Sequence, residues 1–345
     1  MNKSILITGA NAGIGKETAR QLALIRETEI VYLACRNLEK AEIAKKELVE
    51  ATGRDIFKIM ILDVSKIDTV KEAVLQMTDS IDALIMNAGG TGGQTPKKLT
   101  KEGVTELTAS NLLGHVVLVD ELIRQDKLNK VVLFASSEAS RGFKKMGLKR
   151  PNLTDNSVDE FVSIFDGTKF KNNFDPMQVY GWIKYGGTLW MNSMARKYPD
   201  IRFVSMSPGS TRGTNGANDL PFLKRIFMKH IGMNFLMPLM GMSHSVKKGA
   251  NRFVEGINNS KFKSGIFYGS KENTLTGQVV DQSVRKWKTS HRPTSRMAVL
   301  QCARPRYHRH QVQKLMAGAA ARKAQNAAYS ARAQRFAVVS VLHKV

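Results

Sequence analysis

The sequence predicts an α/β fold, a doubly wound parallel sheet in a single domain, followed by a basic C-terminal tail. Three observations predict it. Short, wholly apolar runs of the kind buried on both faces of a parallel sheet recur along the chain. Helix-forming segments separate them, and strand–helix alternation of this sort builds crossover units. The apolar runs end in clusters of Gly, Asn, Asp or Ser, and the carboxyl ends of strands are where such a sheet collects its functional groups.

Taken in order, Ser4-Ile-Leu-Ile-Thr8 reads as the first strand. It runs into Gly9-Ala-Asn11-Ala-Gly13-Ile14-Gly15 and then into the helix-forming Lys16-Glu-Thr-Ala-Arg-Gln-Leu-Ala. Strand, glycine turn and helix in that order make a Rossmann-type dinucleotide site. Glycines let the backbone approach a pyrophosphate, and the helix N-terminus offers it free N–H groups. The second strand, 29–34, ends at Cys35-Arg36-Asn37. A basic residue there accommodates a ribose 2′-phosphate, where an acidic one would bind the 2′-hydroxyl, so Arg36 favours NADP. A helix is predicted over 38–52, a strand over 56–62 ending at Asp63-Val64, a helix after Ser65, and a strand over 83–86 ending at Asn87-Ala88-Gly89. A long helix over 103–124 containing Asn111 and a strand over 130–135 ending at Ser136-Ser137 follow.

The next helix is marked by Val179, Trp182, Ile183, Leu189, Trp190 and Met194 at helical spacing. It carries Tyr180 and Lys184 one turn apart, hence on one face. A positive charge held beside a phenol favours its ionised form, and a tyrosine tuned in this way exchanges a proton with a substrate oxygen near neutral pH. Gly186-Gly187 inside this helix reads as a close-packing site, since two glycines otherwise cost about 1 kcal/mol each. Gly265-Ile-Phe-Tyr268 reads as the last strand of the sheet.

Thr8-Gly9-Ala-Asn11-Ala-Gly13-Ile14-Gly15, Asn87-Ala88-Gly89, Asn111, Ser137, Tyr180-x-x-x-Lys184 and Pro208-Gly209 stand in the order and approximate spacing of the short-chain dehydrogenase/reductase family, which residues 3–275 resemble. Ile14-Gly15-Lys16-Glu17-Thr18-Ala19 and Ala34-Cys35-Arg36 look most like its retinol dehydrogenase and protochlorophyllide reductase branch, whose members mostly use NADP. The resemblance implies a carbonyl–alcohol oxidoreductase. Tyr180 would be general acid or base, Lys184 would lower its pKa and bond the nicotinamide ribose, Ser137 would bond the substrate oxygen, and Asn111 would hold a water leading to solvent. The cofactor would lie against Gly9, Asn11, Gly13, Ile14, Gly15, Arg36, Asp63, Val64, Asn87, Ala88, Gly89, Pro208, Gly209 and Thr211, besides Tyr180 and Lys184.

Two departures stand out. Gly187 occupies a place where the branch usually has Asn, and residues 138–176 form a long insertion near the active site. In the family, the region corresponding to 210–245 closes over the substrate. Its Phe and Met content suits a bulky apolar alcohol or carbonyl. Lys224, Arg225 and Lys229 within it are also compatible with peripheral membrane contact.

The chain has 345 residues and a formal charge of +24. Residues 284–345 hold 14 of the 53 Lys and Arg and none of the 29 Asp and Glu, leaving the first 283 residues a balance of +10. Nucleic acid is therefore an expected partner only through this tail. The tail reads as a disordered appendage, a stretch not native to the protein, or a phosphate-binding arm. Two cysteines make no disulfide framework, and the start of the chain shows no cleavable leader, so a cytoplasmic protein is expected. No residue pattern has metal-ligand spacing, and His115, His230 and His244 read as structural. A monomer and a homo-oligomer are both compatible with the sequence. The competing functional reading is a non-catalytic NADP-binding sensor or scaffold whose tail contacts a polyanion or a membrane.

Overall fold

A computed structural model of the protein describes residues 1–91, 93, 95–144, 147–171, 173–212 and 242–282. The basic tail, His230 and the apolar–basic stretch carrying Lys224, Arg225 and Lys229 lie outside the described residues.

Eight strands form one sheet in the order β3-β2-β1-β4-β5-β6-β7-β8. They are β1 (Ser4–Thr8), β2 (Ile30–Cys35), β3 (Phe57–Ile61), β4 (Ile81–Met86), β5 (Leu128–Ala135), β6 (Arg202–Met206), β7 (Ile266–Ser270) and β8 (Val279–Asp281). All neighbours are parallel except β7 and β8. The expected last strand is thus followed by a short antiparallel one. It escaped the sequence reading because three residues after a Gly- and Thr-rich loop carry too little pattern.

The apolar runs are apolar because helices cover both faces of the sheet. One face packs Leu6, Leu84, Val132, Phe134 and Phe203 under α3 (Ile67–Gln76), α5 (Gly114–Arg124) and α7 (Pro176–Lys197). The other packs Ile5, Ile7, Val31, Leu133 and Val204 under α1 (Gly13–Ala23), α2 (Leu38–Thr52) and α8 (Val246–Asn258). Local signals set several boundaries. The Asn37 side chain accepts from Lys40 N at 2.8 Å to start α2, and Gly53 ends it in the left-handed region at φ 67°. Asp175 caps α7 at Met177 N and Gln178 N, with Pro176 in the first turn.

The helix expected over 103–124 is broken. A short turn, α4 (Glu106–Thr108), passes into a π-helical turn at Ala109–Leu113 before α5 begins. Within that turn Asn111 is fully buried, and its amide is drawn out to Gly90.

The long insertion holds a 3-10 turn (Glu138–Arg141), α6 (Val158–Phe165) and a second 3-10 turn (Thr168–Phe170). α6 docks on α7 through Phe165, whose ring lies where a Cβ on Gly186 would come within 2.9 Å. A Cβ on Gly187 would lie 2.5 Å from the Phe134 ring of β5. Both glycines are therefore close-packing positions, one toward a helix and one toward the sheet.

Candidate active site

The first six strands run parallel, so the segments following them emerge along one edge. Gly9 to Gly15, Asp63-Val64, Asn87 to Gly89, Ser136-Ser137 and Ser207 to Gly209 all lie there. The strand order reverses between β1 and β4, which opens a crevice at the ends of those two strands.

Backbone geometry builds the β1 side. Gly9 and Gly13 have φ of 67° and 54°, which a side chain would strain. A Cβ on Gly15 would come within 2.4 Å of Gly9 O and 2.6 Å of Asn87 Nδ2. Asn87 Nδ2 donates to Thr8 O at 2.9 Å and Gly9 O at 3.3 Å, tying the end of β4 to the glycine turn. Ala88 N donates to Thr8 Oγ1, which also meets His115 Nε2 at 2.9 Å. No side chain caps the N-terminus of α1, so its first N–H groups face the turn unserved by side-chain acceptors. This cradle fits a dinucleotide pyrophosphate: Asn11, Ile14 and their neighbours offer backbone, and no side chain caps α1 there.

Arg36 is exposed just beyond β2, and no carboxylate pairs with it among the described residues. Asp63 accepts from Ser65 N at 2.9 Å and Ser65 Oγ at 2.7 Å, which turns the chain toward α3. Val64 is buried, and its carbonyl leaves no room for a side chain at Gly114. Gly89 lies against the Asn111 amide, where its Cβ would come within 2.3 Å of Oδ1.

Ser137, Tyr180 and Lys184 come together on the β5 side. Ser137 starts the 3-10 turn with its Oγ accepting from Ala139 N at 3.2 Å, and its hydroxyl acts on the nearby Tyr180 phenol in favour of the ionised form. Ser136 is buried and engaged with Thr188 Oγ1 at 2.9 Å, which leaves the second serine of the pair for the cleft. Gly181 allows the turn to approach, since its Cβ would lie 2.7 Å from Ala139 O. Lys184 is only 2% exposed, with Nζ 4.7 Å from the Phe134 ring centroid and 5.4 Å from that of Tyr180.

The expected poise of the phenol is not what these side chains produce. Burial pushes Tyr180 up to about 12; the Ser137 hydroxyl pulls it down and the Glu138 charge adds to the rise. Burial likewise pushes Lys184 down to about 7. Desolvation disfavours both charged forms, so Tyr180 keeps its proton at neutral pH and Lys184 is divided between its two forms.

Asn111 stands in the turn packed against α7, but its side chain does not reach for Lys184. Oδ1 accepts from Gly90 N at 3.0 Å, and Nδ2 donates to Gly90 O and Leu107 O at 2.8 Å each. A water-holding role would therefore fall to its main chain. His115 is fully buried and, by burial first and then the nearby Lys184 charge, held down to about 3, hence neutral. His244 Nε2 lies 2.7 Å from Pro208 O, so it fastens the Pro208-Gly209 turn. Thr211 Oγ1 donates to Gly209 O at 3.1 Å within that turn.

Sequence reasoning missed a polar group directly behind these turns: the buried Glu138, Ser207, Arg252 and Ser270, with the half-buried Arg141. The one available signal was Arg252 on the apolar face of a helix that also carries Ala250, Phe253, Val254 and Ile257. Among the described residues no group of three or more His, Cys, Asp or Glu could hold a metal ion. No helix among them is long and apolar enough to cross a membrane.

Comparison with known proteins agrees with this geometry. Residues 3–147 match the family model described as short chain dehydrogenase. Human retinol dehydrogenase 11 is 36% identical over 128 residues, 36% of this chain and 39% of that protein. Bovine dehydrogenase/reductase SDR family member 12 is 28% identical over 212 residues, 60% of each chain. The chain thus spans less than two thirds of these relatives. Mouse retinol dehydrogenase 14 aligns more fully, at 26% identity over 82% of this chain and 83% of its own. Two solved structures share the fold. Salutaridine reductase from Papaver somniferum has a TM-score of 0.55 and 20% identity, covering 78% of this chain and all of its own. L-sorbose reductase from Gluconobacter frateurii, complexed with NADPH and L-sorbose, has a TM-score of 0.57 and 17% identity, covering 80% of this chain and 97% of its own. The glycine cradle, the Ser137–Tyr180–Lys184 group and these similarities make the chain similar to the short-chain dehydrogenase/reductase family, and within it to the retinol dehydrogenase-like branch.

Proposed function

We propose that the protein is an NADP-dependent oxidoreductase that interconverts a carbonyl and an alcohol on an apolar small molecule. The juxtaposition of Ser137, Tyr180 and Lys184 beside the glycine cradle carries this reading. Exposed Arg36 at the end of β2 supports the preference for NADP through its match to a 2′-phosphate. The retinol dehydrogenase names of several relatives support an alcohol or carbonyl substrate.

When bound, the nicotinamide supplies or accepts the hydride. The chain's own residues manage orientation and the proton. Ser137 Oγ–H donates to the substrate oxygen, where negative charge develops in carbonyl reduction. Tyr180 gives its phenolic proton to the same oxygen, and the phenol's retention of that proton at neutral pH suits the acid role. Lys184, close to its titration midpoint at neutral pH, returns a proton to the phenolate. Its buried setting keeps bulk water from short-circuiting the transfer. We further propose a reducing, cytoplasmic setting, which the buried free thiol of Cys35 suits.

The test is a panel of apolar alcohols, aldehydes and ketones assayed with NADP(H) and NAD(H) side by side, on wild type and Tyr180→Phe. Wild type should turn over with NADP(H). Tyr180→Phe should lose on the order of 10²-fold or more in kcat while binding NADPH within about twofold of wild type. Binding of NADPH with no turnover anywhere in the panel would instead favour the sensor reading.

A further inference from the structure

Behind Ser137 lies a carboxylate that the reaction as described does not use. Glu138 is 4% exposed. Its Oε2 accepts from Ser207 Oγ, the residue preceding Pro208-Gly209. Its Oε1 accepts from Ser270 N at 3.1 Å and lies 3.7 Å from Arg252 Nη1. Arg252, also buried, donates to Ser207 O at 3.1 Å, Ser270 Oγ at 3.1 Å and Gly277 O at 2.9 Å. Arg141, in the same turn as Glu138, donates to Ser270 O and Gln282 Oε1 at 2.6 Å each and to Thr274 O at 2.7 Å. Gly209 N returns to Ser207 Oγ at 3.1 Å. The ends of β5, β6 and β7 and the body of α8 therefore meet at one carboxylate.

A buried carboxylate with this many partners is costly to assemble and costly to disturb. Core packing alone would be served as well by an apolar side chain. What the charge adds is a fixed separation between two strand-end turns that face one cleft. We infer that Glu138 is a positioning residue, locking the Ser137 turn and the Pro208-Gly209 turn into a single rigid unit. The inference rests on the oxidoreductase reading, because Ser137 would meet the substrate oxygen and Pro208-Gly209 the nicotinamide.

A second effect follows from place. Glu138 follows Ser137 in the chain, and its negative charge acts on the Tyr180 phenol in favour of the protonated form. The groups facing Tyr180 are Ser137, Glu138 and Lys184. Those facing Glu138 are Arg252 from α8, Arg141 from its own turn, Ser207 and Ser270 from the strand ends, and His244 beside Pro208. Neutralising Glu138 thus both loosens the unit and makes the phenol easier to ionise.

Glu138→Gln and Glu138→Asp test this against wild type. For Glu138→Gln, kcat should fall about tenfold with the KM for NADP within about twofold. The rising limb of its pH–kcat profile in alcohol oxidation should move to lower pH by about half a unit or more. Glu138→Asp, which keeps the charge but shortens the reach, should restore the pH limb and leave kcat low. In Glu138→Gln a lowered Tm with an unmoved pH limb, or in both variants wild-type kcat, would overturn the proposal. Should Glu138→Gln not fold, Glu138→Asp decides: a reduced kcat at an unshifted limb supports the inference, and wild-type kcat sinks it. Phenolate absorbance titrated with saturating NADP, taken as wild type minus Tyr180→Phe, needs no turnover. It shifts with Glu138→Gln if the inference holds even where the substrate panel is silent, so failure of the function and failure of the positioning role are told apart.

Discussion

The two walls of the cleft are made from the same material, the turns after parallel strands, yet they are held by different forces. On the β1–β4 wall, glycines and one amide do the work. Gly9, Gly15 and Asn87 interlock at distances that leave no room for a methyl group, and the hydrogen bonds run between neutral groups. On the β5–β7 wall the turns are fastened by a buried carboxylate, the buried guanidinium of Arg252 and the half-buried one of Arg141. The first wall has to let a pyrophosphate approach main-chain N–H groups, so it excludes side chains. The second has to hold a serine, a phenol and a proline–glycine turn at fixed distances, and charge provides stiffness where backbone alone would give. One wall should break when atoms are added, the other when charge is removed.

The largest expected effect is on the charged wall. Arg252→Met keeps much of the volume and leaves Glu138 buried without its cation, so a loss of about 3–5 kcal/mol in urea unfolding is expected. A loss below about 1 kcal/mol would mean that the carboxylate finds water or Arg141 instead. On the neutral wall, Gly15→Ala places a methyl against Gly9 O and Asn87 Nδ2. Overpacking of that kind costs about 1–3 kcal/mol, and NADPH affinity measured by cofactor fluorescence should fall as the turn is pushed open.

The smallest effect sharpens the contrast by moving outside the cleft. Glu160 at the start of α6 is worked on first by burial, which opposes its charge. Lys169 and the backbone N–H groups of Thr154, Asp155 and Asn156 outweigh this and hold it down to about 2. Its folded pKa thus lies below the unfolded value near 4.5. The stability it supplies is complete above that value and is lost as pH falls toward 2. Glu160→Gln should therefore be less stable than wild type at neutral pH, with the deficit closing as the urea midpoints are followed into acid. A deficit independent of pH would place the effect in lost packing.

What the sequence revealed of all this follows the range of the forces. α2 was legible to its ends because Asn37 and Gly53 act within a turn of themselves. β1 and the glycine turn were legible because burial on both faces and freedom of φ are properties of a few consecutive residues. The sites of Ser137, Tyr180 and Lys184 came from family resemblance joined to helical spacing, and the structure brings the three together. The break at Asn111 was not legible, since it answers to Gly90 across the crevice. Nor was the poise of Tyr180 and Lys184, because spacing reports nearness whereas titration here is ruled by burial. Glu138 and Arg252 lie far apart in the chain with no spacing rule between them, and only the closed fold makes them partners.

The place of β1 in the sheet has a consequence for how the chain reaches its native state. It is first in the chain yet lies between β2 and β4, and its second neighbour is synthesised only after the whole of β3 and α3. The helix packed beside α1 is α8, and Asn2 Nδ2 donates to Ile257 O at 2.9 Å while Gln21 Nε2 donates to Lys247 O at 2.9 Å. Sequence-distant closures of this kind slow folding and join early segments to late ones. A nascent chain halted before Val246 would carry α1 with that apolar flank still uncovered, so the nucleotide cradle, though encoded in the opening residues, matures only when α8 arrives.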